Sequence, residues 1–233
     1  RRQRQMCIRD RLSTVKTVNG KKPVFFGLDA KNDFYAKNIK NSGDGKVLAT
    51  LCFDNNNIDV EIPAIGTYMV TNALAAAAAG KLLGLTDEEI ANGVASYKTV
   101  GSRANVINTG KIKIIDDCYN ANPTSVRASL DTLSNLDGRK VAILGDMKEL
   151  GSEELKLHFD TGVYAKLKDI GTVITVGELA KELAKGADGK AFDTIEDAKP
   201  EILKTIKSGD VVLVKASHSM QFENIVEFLK QNF

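Results

Sequence analysis

From Lys111 onward the chain alternates short apolar runs with longer stretches of helical period. KIKIID, KVAILG, TVITVG, KAFD and VVLVKAS read as strands. PTSVRASLDTLSNL, SEELKLHFDTGVYAKL, ELAKELAKG, IEDAKPEILKTIKSG and the closing segment to Phe233 read as helices. Strand–helix alternation with short links predicts a Rossmann-like, mostly parallel sheet with helices on both faces. Before residue 105 the pattern differs. KPVFFGL, KVLATLCF and NIDVEI are strand-like and are separated by the polar turns KNSGDGK and DNNN. The run MVTNALAAAAAGKLLGL, Met69 to Leu85, is interrupted by Thr71, Asn72 and Lys81. It is too short for a bilayer and reads as a buried helix. TDEEIANGVASY follows, with Thr86 and Glu89 spaced as a capping box. KTVGSRANV then joins the two patterns and has the small residues of a hinge. The expected division is 1–104 and 105–233.

Composition adds mostly exclusions. Of 233 residues, 43% are hydrophobic and 27% charged, as in ordinary globular chains. A net charge of +2 gives no electrostatic reason to expect nucleic acid or an anionic membrane. Cys7, Cys52 and Cys118 are scattered, fitting a reducing compartment and no structural zinc site. The basic start, residues 1–11, lacks the order of a signal peptide and receives no function.

In parallel α/β sheets, ligands sit at the carboxyl ends of the strands. Three strands here empty polar residues toward that edge. KIKII runs into Asp116, Asp117, Cys118, Tyr119, Asn120 and Asn122. KVAIL runs into Asp146, Lys148 and Glu149, and VVLV runs into Lys215, Ser217 and His218. Each loop also has a plain reading. Asp117 and Asp146 suit turns, Asn122-Pro123 suits a helix start, and Lys148 with Glu149 suits a solvated pair. His158, mid-helix, reads as a surface or packed histidine. The convergence of three loops is what points to a site.

DDCYNANPTS, LGDMKELG and VLVKASHSM resemble the corresponding loops of the Mur ligases. The specific resemblance is to the branch that joins D-Ala-D-Ala to UDP-N-acetylmuramoyl-tripeptide. GTYMVTNALAAAA is similar to the family's Gly-x-His-x-x-x-Asn-Ala segment through Gly66, Asn72 and Ala73. Arg103 falls where the family has an arginine between its central and C-terminal domains. The similarity runs from about Val24 to Phe233. There are two departures. Tyr68 stands where the family has His, and the chain contains no G-x-x-x-x-G-K-[ST] phosphate loop. The chain therefore reads as the closing part of a P-loop-type ATPase domain, 1–104, followed by the C-terminal domain, 105–233, without the domain that binds the UDP-sugar.

The resemblance implies an ATP- and Mg2+-dependent, C–N bond-forming ligase of peptidoglycan synthesis, and so of cell-wall growth, cell shape and division. ATP would convert the tripeptide carboxylate to an acyl phosphate, which the D-Ala-D-Ala amine attacks. It implies a cytoplasmic monomer with no membrane or nucleic-acid partner. Asn72 would meet adenine, Asp117 the ribose, and Arg103 the terminal phosphates. Tyr119, Asn120 and Asn122, with Arg103, would line the reaction zone, and Lys215, Ser217 and His218 would hold a carboxylate-bearing substrate. No residue is assigned to metal. Two other readings stand beside this one: a folylpolyglutamate or cyanophycin-type ligase of the same superfamily, and a non-catalytic Rossmann-like binding module. A Gly-Lys-Thr loop upstream in the full-length protein would exclude the module. The chain alone is expected to show no ligase activity. Phosphate release from ATP by the purified chain, dependent on both tripeptide and D-Ala-D-Ala, would overturn that expectation.

Overall fold

The structure is a computed structural model describing residues 16–17, 20–42, 45–98 and 101–233. The basic start at 1–11, Cys7, and residues 99 and 100 of the expected hinge lie outside the described residues. Strands β1 (Tyr35–Asn41), β2 (Val47–Phe53) and β3 (Asn56–Ile62) form an antiparallel sheet in that order. The β2–β3 hairpin closes on Asp54 and Asn55, both at positive φ (46° and 61°), as a two-residue primed turn requires. Helices α1 (Met69–Leu82) and α2 (Asp87–Ala95) cover this sheet, and the capping box at Thr86 and Glu89 forms as expected. KPVFFGL does not make a strand, contributing only a bridge from Phe26 to Phe34. β1, whose spacing of apolar residues is broken by a bulge between Lys37 and Lys40, takes the edge position instead.

The second sheet has the order β4-β5-β9-β6-β7-β8. Its strands are β4 (Asn105–Asn108), β5 (Lys113–Asp116), β6 (Arg139–Gly145), β7 (Thr172–Val176), β8 (Lys190–Phe192) and β9 (Asp210–Lys215). All pairs are parallel except β4 with β5, so the edge strand β4 adds a hairpin where the sequence suggested only a connection. Side chains alternate between faces, as strand period demands. Ile114, Val141, Ile143, Val212 and Val214 pack beneath α6 (Ile195–Thr205) and α7 (Glu223–Asn232). Ile115, Ala142, Leu144, Val211 and Leu213 pack beneath α3 (Pro123–Ser134), α4 (Glu154–Leu167) and α5 (Ala180–Ala187). Ile65, from the loop before α1, is buried in that second core. Among the described residues no helix is long and apolar enough to cross a membrane.

Helices α4 and α5 meet backbone to backbone. A Cβ at Gly162 would lie 2.0 Å from the Leu183 carbonyl oxygen, and one at Gly186 would lie 2.3 Å from that of Phe159. Gly162→Ala should therefore push the helices apart and destabilise by about 1–3 kcal/mol. Thermal denaturation should show Tm falling by roughly 3–10 °C; an unchanged Tm would contradict the close approach.

Candidate active site at the carboxyl edge of the second sheet

Strand β9 is hydrogen-bonded to both β5 and β6. The loops after β5 and β6 lead to helices on one face and the loop after β9 to α7 on the other, which opens the sheet edge at β9. Asp117, just past β5, is 9% exposed. Its Oδ1 accepts the Ala104 N–H (3.1 Å), and its Oδ2 accepts from Ser129 Oγ (2.7 Å) and Lys215 Nζ (2.5 Å). Lys215, 3% exposed, also donates to the Asn120 carbonyl (2.9 Å). A buried charge must be paired and hydrogen-bonded to be tolerated, and both members of this pair are.

The loop after β6 is stitched to the loop after β9 through Ser217. The Ser217 N–H donates to the Asp146 carbonyl (3.0 Å), and its Oγ accepts the Lys148 N–H (2.8 Å). Asp146 is buried; Oδ1 accepts the Ala180 N–H at the start of α5 (2.8 Å), and Oδ2 accepts from Lys148 Nζ (2.7 Å). Only a glycine at 177 permits this, since a Cβ there would sit 2.4 Å from the Asp146 carboxylate. His158 is fully buried. Its Nδ1 donates to the Glu154 carbonyl (2.7 Å), which leaves Nε2 to accept the Met147 N–H (2.9 Å). Of its two sequence readings, the packed one holds, with the added task of holding the loop.

Over this buried frame lies an exposed layer. The Arg103 guanidinium stacks 3.8 Å above the Tyr119 ring, and the Tyr119 and His218 ring centres are 6.0 Å apart. Tyr119 is 48% exposed. The segment carrying Arg103 is bent, with Gly101 at φ 65° and Ala104 at φ 50°, and is fastened to the Asp117 loop by the Ala104 bond and by Tyr119 N–H to the Ser102 carbonyl (2.9 Å). Ser102 and Ala104 of the connecting segment are thus tied to the loop after β5. Asn120 Oδ1 accepts from the Ala121 N–H within its own loop (2.8 Å). Asn122 caps α3, accepting the Ser125 N–H (2.8 Å) with Pro123 behind it.

On the first unit, Asn72 lines a cleft of about 420 Å3 between α1 and α2, with Ala73, Ile90, Val94 and Tyr97 among its walls. Tyr68, just before α1, lies within electrostatic reach of Asp117. Burial, then Asp117 and Tyr97, push its phenol up to about 12, so it is neutral at physiological pH. Its ring folds over Gly66 (φ 93°), where a Cβ would meet the ring at 2.4 Å and Thr132 Oγ1 of α3 at 2.7 Å. Among the described residues no three His, Cys, Asp or Glu side chains converge as a metal site. Sequence reasoning missed Ser129, and it placed Asp146 at the converging edge without a site role of its own. The signal for Asp146 was its position, an acid at the end of an apolar strand like Asp117.

Residues 102–218 match the Mur ligase glutamate ligase domain, and residues 6–80 match the Mur ligase middle domain. The UDP-N-acetylmuramoyl-tripeptide–D-alanyl-D-alanine ligase of Bacillus subtilis is 34% identical over 215 residues, covering 88% of this chain and 46% of the relative. The crystal structure of MurF from Acinetobacter baumannii superposes with a TM-score of 0.83 at 30% identity, covering 89% of this chain and 46% of that one. MurF from Thermotoga maritima, solved in complex with ADP, gives 0.80 at 27% identity, covering 90% and 48%. The chain thus spans about half the length of the relatives it matches. With both domain matches in order along it, the chain belongs to the Mur ligase family.

Proposed function

We propose that this chain supplies the closing part of the ATP-binding domain (1–104) and the C-terminal domain (105–233) of a ligase that joins D-Ala-D-Ala to UDP-N-acetylmuramoyl-tripeptide. The observation that carries the reading is the match to both family domains together with the relative of that name at 34% identity. The step belongs to peptidoglycan precursor synthesis, and its nucleotide substrates place it in the cytoplasm. ATP supplies the phosphoryl group that activates the tripeptide carboxylate, and magnesium neutralises phosphate charge. The described residues do not assemble a magnesium site by themselves.

This chain's residues divide the remaining work. The Asn72 amide offers both a donor and an acceptor to an adenine edge, beside apolar walls suited to a base. The Asp117 side chain keeps 12% of its surface exposed, an edge for a ribose hydroxyl. Among the described residues Arg103 is held by an aromatic face and by no carboxylate, which leaves its charge and its fork for terminal phosphates. Tyr119 and Asn120 border the same surface, and Asn122 fixes the start of α3 beneath it. Of Lys215, Ser217 and His218, only His218 is exposed, and to it we assign contact with the dipeptide carboxylate.

Two experiments on the full-length enzyme test this reading. Arg103→Ala should lower kcat at least about tenfold while leaving ATP binding to the free enzyme unchanged, and Arg103→Lys should recover part of the loss. Parental turnover in both variants would leave Arg103 as a linker residue. Asp117→Asn should raise the ATP KM roughly tenfold or more, the size of one lost charge-assisted hydrogen bond. It should also lower Tm, because Lys215 loses its counter-charge. A lowered Tm with an unchanged ATP KM would sink the ribose role.

A further inference from the structure

Resting on the ligase reading, we propose that Lys215 is a positioning residue, which holds the Asp117–Asn120 loop and, through it, the Arg103 segment in the geometry that receives nucleotide. The expected role of Lys215, gripping a substrate carboxylate, needs an ammonium group facing solvent. Here the ammonium points inward from the central strand β9, and the side chain is 3% exposed. An ammonium has three protons to donate. Its contacts are Asp117 Oδ2 (2.5 Å), the Asn120 carbonyl (2.9 Å) and, longer, the Asp117 carbonyl (3.5 Å). All three lie on one loop, two on its backbone and one on its carboxylate, so both the path of the loop and the rotamer of Asp117 are fixed from below.

The hold extends further. With Oδ2 drawn toward Lys215, Oδ1 is aimed at the Ala104 N–H. That bond, with Tyr119 N–H to Ser102, keeps Arg103 stacked on Tyr119. Lys148 has no such reach: it is 45% exposed and pairs with Asp146 two residues away. Lys215 thus bears on Asp117 and Arg103, two of the three groups proposed to meet ATP, while exposing almost no surface of its own.

In the full-length enzyme, Lys215→Met removes the charge at nearly constant length. It should raise the ATP KM about tenfold or more while the D-Ala-D-Ala KM stays within about twofold. Combined with Asp117→Asn it should raise the ATP KM no further, because both changes break one unit. Amide hydrogen exchange at Ala104 and Tyr119 should accelerate in the folded variant. A raised D-Ala-D-Ala KM with an unchanged ATP KM would overturn the proposal in favour of a substrate ligand. Unchanged exchange at both amides in a folded variant would overturn it as well. Failure of the ribose reading is distinguishable: Asp117→Asn alone would then leave the ATP KM at the parental value, and the exchange result would still decide on Lys215. If Lys215→Met does not fold, Lys215→Arg takes its place. It keeps the charge but puts a wide planar fork into a site shaped for an ammonium, and the same accelerated exchange is expected.

Discussion

A carboxylate removed from water has to be answered by donors, and at Asp117 the answer organises the functional end of the molecule. Its donors come from the approach to β4 (Ala104), from α3 (Ser129) and from β9 (Lys215). The left-handed turn at Ala104 (φ 50°) accompanies an N–H aimed at Oδ1, a conformation a non-glycine residue adopts at a cost and keeps where its surroundings enforce it. The strain and the buried pair are thus parts of one arrangement.

That arrangement separates the site into two layers. Asp117, Asp146, Lys215, Ser217 and His158 are buried and satisfied by one another, by backbone groups, or by the Ser129 and Lys148 side chains. Arg103, Tyr119 and His218 lie outside them as a stack of a guanidinium and two rings. A rigid floor with few exposed groups suits a reaction whose main demand is positioning around phosphate charge.

Most of the second sheet was legible because strand period and helix period alternate cleanly there. KVAILG and VVLV fall wholly on their strands and KIKII enters its own at Lys113, with alternate residues in opposite cores. β1 and β4 were not legible. YAKNIKN and NVIN are polar edge strands whose pairing comes from a neighbour rather than from their own pattern. KPVFFGL misled in the opposite way, because an apolar run without partners along its length forms no strand. Within the site, the loops that carry Arg103, Asp117 and His218 could be read from position and motif. Which of their side chains face inward could not. The Lys215 contact with Asp117 spans 98 residues, and that between Lys148 and Ser217 spans 69, so neither is encoded in local spacing. Asn122 shows the converse: its capping role was local and was readable beside the functional one.

Strand β9 lies between β5 and β6 although it is the last strand of its sheet to be synthesised. As the polypeptide leaves the ribosome, β5 and β6 emerge with the place between them unfilled, and Asp117 has no cation to meet. Contacts between residues so far apart in the chain also slow folding. Until residue 215 is translated the domain has two partial half-sheets rather than a sheet with one ragged edge. A premature stop codon upstream of β9 would therefore remove the middle of the domain, and the product would be a substrate for chaperones and proteases rather than a trimmed enzyme.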